Sequence, residues 1–121
     1  MSDASLVLFG IKNCDTVKKA RKHLEQQDRS YQFHDFREQG LDQATIERWL
    51  GQVEFKTLLN TRSTSWRQLD DADKQEVDQA KALSLMLANP TLVKRPVAEV
   101  NGAVNVGFKA ADFDLWLNQH G

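Results

Sequence analysis

The chain has 121 residues, enough for one domain around one core. Hydrophobic residues make up 40% and charged residues 27%, a globular rather than a disordered composition. The formal net charge of -1 gives no global pull toward nucleic acid or an anionic membrane, so ionic recognition must come from a local patch.

No segment approaches the roughly 20 apolar residues that a membrane span requires. The start, "MSDASLVLFG", lacks the basic residues and long apolar stretch of a secretory signal. A single cysteine cannot form an internal disulfide, which fits a reducing compartment, most simply the cytosol. One Cys and three scattered His show no zinc-ligand spacing, so no metal site is expected.

In chain order, Leu6 to Phe9 is a short continuous apolar run, which predicts a strand buried on both faces. A helical pattern follows from about Thr16 to Gln27. Val17, Ala20 and Leu24 share its apolar face, and Lys18, Lys19, Arg21 and Lys22 surround the rest. "YQFHDF" then alternates as a second strand, Tyr31 to Phe36. Strand, helix, strand over so short a span is a βαβ unit and favours a parallel pair.

The middle of the chain reads as helical. Asp42 is placed to cap a helix with Ile46, Trp49, Leu50 and Val53 on its apolar side. "FKTLLNTRSTSW" predicts a short helical turn and then a polar loop over Asn60 to Ser65. Asp70 or Asp73 opens a further helical stretch, with Val77, Ala80, Leu83 and Leu87 as its buried face. "NPT" at 89–91 stops it.

Two β-like runs then flank Asn101-Gly102, the strongest short-range hairpin signal, because both central positions of a type I′ turn need φ > 0. Phe113, Trp116 and Leu117 mark a closing helix. The order is β-α-β, a helical insertion over about 42–90, then β-β-α: one α/β domain spanning 1–121 with a mixed sheet.

Cys14 falls in the turn after the first strand, at or just before the first turn of the first helix. Free helical N–H groups and the positive end of the helix dipole favour a thiolate there, and Lys12 and Lys18 are within reach in sequence. Thiolates attack disulfides and oxidised centres, whereas thiols barely do. Cations at the start of a helix also oppose the dipole, a small cost that a bound anion would offset. Two readings of the cysteine stand at this point: a nucleophile, or a small buried residue. For the basic run, a solvated face is the default.

Other chemistries have less behind them. His23, His34 and His120 form no Ser-His-Asp pattern, and His34 reads as structural within a strand. The acidic cluster Asp70, Asp71 and Asp73 suits a polar helix start. Trp49, Trp66 and Trp116 read as core packing. There is no glycine-rich phosphate loop or dinucleotide fingerprint.

"LFGIKNCDTVKKARKHLEQQ", "LLNTRSTSWRQL" and "PTLVKRPVAEVNG" together resemble the arsenate reductase (ArsC)/Spx family of thioredoxin-like proteins, in particular its YffB-type branch. The likeness runs from about Leu6 to Leu117. It implies a thioredoxin-like fold with a helical insertion, Cys14 as nucleophile and Arg95 as a binder of anionic substrate. Pro96 would match the cis-proline beside the active thiol, where residue statistics alone favour trans. The resemblance points to an oxidoreductase with no bound cofactor and with glutathione as co-substrate, because the chain has no resolving cysteine. Glutathione's two carboxylates suit a basic pocket held by Arg95, with Arg62, Lys12 and Lys18 as helpers. A glutaredoxin would then reduce the mixed disulfide.

The chain also departs from the family pattern. The first of the arginines that surround the oxyanion in glutaredoxin-linked arsenate reductases aligns near Asn60. Arg62, two residues on, either substitutes for it or is a loop residue. The last aligns near Phe108, beside Lys109, which weakens the case for arsenate. The histidine those enzymes often carry before the cysteine is absent, with Gly10 and Ile11 in that region. Spx-type regulators resemble the chain over a similar length and point to RNA polymerase as an alternative partner, without direct nucleic-acid contact. Many carry a CxxC switch, but in "CDTV" Val17 stands where the second cysteine would be, so an internal disulfide switch is impossible.

Overall fold

In the computed structural model, which describes residues 6–120, four short strands form one mixed sheet. They are β1 (Val7–Gly10), β2 (Gln32–Asp35), β3 (Val97–Val100) and β4 (Ala103–Val106), in the order β2-β1-β3-β4. β1 runs parallel to β2 and antiparallel to β3, and β3 and β4 form the hairpin. The chain divides into two compact units: Met1–Gln39 with Arg95–Gly121, which holds the sheet, and Gly40–Lys94.

In the first unit, helix α1 (Asp15–Gln26) buries Val17, Ala20 and Leu24, the face that its apolar spacing predicts. The closing helix α8 (Ala110–His120) buries Phe113 and Leu117. Ala20, Leu24, Phe113 and Leu117 join Leu6 and Leu8 of the first strand region and Ala98 and Val100 of β3 in one core cluster, with Tyr31, Phe33, Phe108 and Trp116 packed around it. Leu8 and Ala98 are register partners, so their side chains share one face of the sheet. The hairpin turns on Asn101 and Gly102 at φ 50° and 80°, the left-handed conformation that the type I′ turn needs.

β2 ends one residue earlier than the alternation predicts. Phe36 opens a short helix, α2 (Phe36–Gln39), because Asp35 Oδ1 accepts the Arg37 amide at 2.8 Å and turns the chain.

The second unit is helical apart from one β-bridge. Asp42 caps α3 (Gln43–Leu50) by accepting from the Thr45 amide at 2.9 Å, and Ile46, Trp49 and Leu50 are buried. α4 (Phe55–Leu58) leads into an isolated bridge, Leu59 with Val93, which ties the end of α4 to the last residues of this unit. Thr64, expected in a loop, begins α5 (Thr64–Arg67), because Ser63 Oγ accepts the Trp66 amide at 3.1 Å and caps it. Asp70 precedes only the single turn of α6 (Asp71–Lys74) and forms no side-chain cap bond.

The long helix α7 (Gln79–Ala88) starts later than expected, at Asp78, whose carboxylate accepts the Lys81 amide at 2.8 Å. Glu76, at φ 49°, breaks the chain between α6 and α7 and leaves Val77 outside the helix. The buried face is therefore Ala82 and Met86, not Ala80, Leu83 and Leu87; Leu87 is 36% exposed. α7 ends at Ala88, and Pro90–Leu92 form a 3-10 turn. Among the described residues no helix is long and apolar enough to cross a membrane.

Candidate active site around Cys14

The site begins at the end of β1. Gly10 is buried, and a Cβ there would lie 2.7 Å from Val17 Cγ2. The missing side chain lets α1 press against the strand end. Ile11 is buried too, and the Cys14 amide donates to its carbonyl at 3.3 Å, closing a tight turn.

Cys14 is the N-cap of α1. Its backbone is extended (φ -97°, ψ 123°), and its carbonyl accepts the Lys18 amide at 2.9 Å. The thiol is half-buried and makes no capping hydrogen bond. It stands at the positive end of a 12-residue helix, beside first-turn amides with no intrahelical acceptor. Asp15, the first helical residue, also sits in that field.

Two strands flank β1, and each contributes charge. On the β3 side, Phe9 pairs with Val97, so Gly10 and Pro96 are the next residues along that register. The Arg95–Pro96 peptide is cis. The buried Pro96 is tied by its carbonyl, which accepts the Gly107 amide at 2.8 Å. Arg95, half-buried, precedes it. On the β2 side, Gly10 pairs with Asp35, the one buried carboxylate among the described residues, at 4% exposure. Lys12 Nζ lies 2.7 Å from Glu38 Oε1, with both side chains exposed. That hydrogen bond and the Glu38 charge, with a lesser pull from Asp35, hold the Lys12 pKa above its ordinary value. The β2 flank therefore carries carboxylates balanced by Lys12, and the β3 flank carries a guanidinium.

The basic run on α1 divides. Arg21 Nε donates to the Tyr31 hydroxyl at 3.1 Å, and its guanidinium lies 4.3 Å from the Phe33 ring centre, a structural role. Lys18, Lys19 and Lys22 are exposed. Of the residues expected to bind substrate, Lys12, Lys18, Arg95 and Pro96 belong to the same unit as Cys14. Arg62 belongs to the second unit, exposed in the turn after Leu59, where its amide donates to Asn60 Oδ1 at 3.1 Å.

Asp35 was visible in the sequence only as one position of an alternating strand. Its burial and its place beside Gly10 follow from the parallel register. His23, assigned no role from the sequence, lies 2.7 Å from Asp114 Oδ1, joins α1 to α8, and rests its ring edge-on against Phe108 and Phe113.

A four-stranded mixed sheet, a cysteine at the cap of the first helix and a cis-proline at the start of the neighbouring antiparallel strand define a thioredoxin-like protein. The family model described as ArsC family matches residues 9–115, and the chain belongs to that family. A solved YffB protein is 45% identical, with a TM-score of 0.90 over 93% of this chain and 98% of its own. An arsenate reductase (ArsC) related protein from Brucella melitensis is also 45% identical, with a TM-score of 0.77 over 96% of this chain and 97% of its own. The global transcriptional regulator Spx of Streptococcus mutans is 27% identical over 93% of this chain and 82% of its own length.

Proposed function

We propose that the protein is a thiol-dependent reductase in which Cys14 is the nucleophile and glutathione the co-substrate. The observation that carries the reading is the chain's one thiol standing half-exposed at the cap of α1, next to the strand end that pairs toward Arg95 and Pro96. Membership of the ArsC family supports the reaction class.

The chemistry follows from the charges. Helical amides favour the thiolate. An anionic substrate is drawn to Arg95 on the β3 flank, with Lys18 one helical turn along α1 from Cys14, whereas on the β2 flank Lys12 is already paired with Glu38. For a glutathione mixed disulfide, the Cys14 thiolate attacks the glutathionyl sulfur. The S–S bond breaks, the substrate leaves as a thiol, and Cys14 is left in a mixed disulfide with glutathione. No second cysteine can resolve this intermediate. A glutathione thiolate from solution attacks it, releases oxidised glutathione and restores Cys14; a glutaredoxin would serve the same step. Each turnover transfers two electrons, and two glutathione units leave joined by one disulfide.

The test is turnover of a glutathionylated disulfide coupled to glutathione reductase. Cys14→Ser is expected to abolish turnover while its far-UV circular dichroism and melting temperature stay at wild-type values. A Cys14→Ser variant with full activity would remove the reading. The likeness to Spx favours a second one: a non-catalytic regulator that binds RNA polymerase through its surface. Stoichiometric recovery of polymerase subunits on immobilised protein, unchanged by Cys14→Ser and with no turnover in the wild type, would favour that alternative.

A further inference from the structure

The second unit carries a cluster of basic side chains, one of which, Arg62, the sequence also offers as a substrate helper. Two adjoining depressions open on it and share Lys56, Leu59 and Thr61. One, of about 460 Å³, is walled by Lys56, Arg62 and Lys94 with Thr57, Asn60 and Thr61 between them. The other, of about 370 Å³, is walled by Phe55, Leu59, Trp66 and Val77, with Lys74 among them. Each volume lies within the roughly 300–1,000 Å³ range of small-molecule sites.

The backbone brings the basic groups together. Leu59 bridges Val93, and the Lys94 amide donates to the Leu58 carbonyl at 2.8 Å, so Lys94 lies beside the end of α4, the helix that bears Lys56. The turn that bears Arg62 follows directly. Among the described residues, Lys56, Arg62 and Lys94 form no ion pair, and no carboxylate lines either depression. Lys74 is partly engaged, donating to the Arg67 carbonyl at 3.3 Å. Glu54 lines a separate hollow with Phe55, Lys56 and Gln79. In a chain with 16 basic and 17 acidic residues, three cations converging against one neighbouring carboxylate, Glu54, are a local excess. Such a cluster repels itself and favours a multiply charged anion.

The neighbouring wall is of another kind. Phe55 and Trp66 are only half-buried, so aromatic surface borders the hollow. Trp66 is set by the Ser63 cap at the start of α5. A flat ring stacks on such surfaces, and a rigid aromatic loses little entropy in doing so. Three of the four cations are lysines, which bind phosphate as compact point charges, and the Arg62 fork pairs with phosphate bidentately.

We infer that this double depression binds an organic phosphate of the nucleotide class, its phosphates between Lys56, Arg62 and Lys94 and its ring against Trp66 and Phe55. The inference uses residues of the second unit alone.

The experiment is calorimetric titration of the full chain with ATP, inorganic pyrophosphate, adenosine and S-benzylglutathione. ATP is expected to bind below about 1 mM. Pyrophosphate and adenosine are each expected to bind about tenfold or more weakly, since each lacks one half of the ligand. Lys94→Ala and Lys56→Ala are each expected to weaken ATP about tenfold, and Trp66→Ala by a similar factor, with circular dichroism confirming the fold. Trp66→Phe, which keeps a ring, is expected to recover most of the affinity. Three results would overturn the assignment: no ATP binding below about 1 mM, affinity unmoved by the lysine and tryptophan variants, or S-benzylglutathione binding more tightly than ATP through the same residues.

Discussion

At Gly10 the absence of a side chain decides how close α1 comes to β1. A methyl group there would meet Val17, a β-branched residue fully buried and unable to swing aside. Gly10→Ala is expected to cost about 1–3 kcal/mol of stability by overpacking, read from urea unfolding. Because the loop to Cys14 starts at this contact, the variant is also expected to lower turnover. Wild-type stability would show that α1 moves freely off the strand. The sequence shows a glycine at this point but not its reason, which is a contact with a residue seven positions on. Cys14 was legible because an apolar run, a turn and a helical pattern put it at a boundary whose electrostatics are known. Asp35 was not, because a carboxylate in an alternating strand has no mark that says which neighbour it will meet. The cis bond at Pro96 came from the family resemblance and not from residue preferences.

Among the elements, the hairpin and α7 make opposite lessons. Asn101-Gly102 announces its turn through the backbone angles that only such residues adopt cheaply, and the structure has the turn there. The stretch from Asp70 to Asp78 offers four aspartates as possible caps, and the run from Ala82 to Leu87 is apolar at nearly every helical phase. Neither feature alone picks a start or a buried face. Glu76 in the left-handed region decides the matter by interrupting the helix, so Asp78 caps it and Ala82 and Met86 turn inward. Asp78→Ala is expected to destabilise the protein by about 1 kcal/mol in chemical unfolding, the usual cost of a lost cap. Asp70→Ala, which removes no side-chain cap bond, is expected to fall within about 0.5 kcal/mol of wild type. Equal losses from the two would contradict the assignment of the helix start.

Over the whole molecule, the order β-α-β, helices, β-β-α was legible because strands and helices differ in period and the hairpin is marked. The sheet order β2-β1-β3-β4 needed the pairing of residues far apart in sequence. One polar tie spans most of the chain: His23 on α1 to Asp114 on α8. The hydrogen bond from His23, seconded by Gln27, holds the Asp114 carboxyl below its ordinary pKa. A carboxyl depressed in the folded state adds stability above its unfolded-state pKa and loses it as pH falls through the folded value. Asp114→Asn is therefore expected to melt below wild type at pH 7, with the gap closing under about pH 4 as the wild-type carboxyl protonates. A gap that stays constant into strong acid would contradict the role of that charge.

The central claim is that Cys14 cycles through a mixed disulfide with glutathione, and intact mass spectrometry of acid-quenched turnover tests it most directly. The account predicts one glutathionyl adduct per chain, mapped to Cys14, that appears with a glutathionylated substrate and disappears as free glutathione is added, with product formed at the same rate. Product formed with no adduct at Cys14, or an adduct that glutathione cannot discharge, would contradict it.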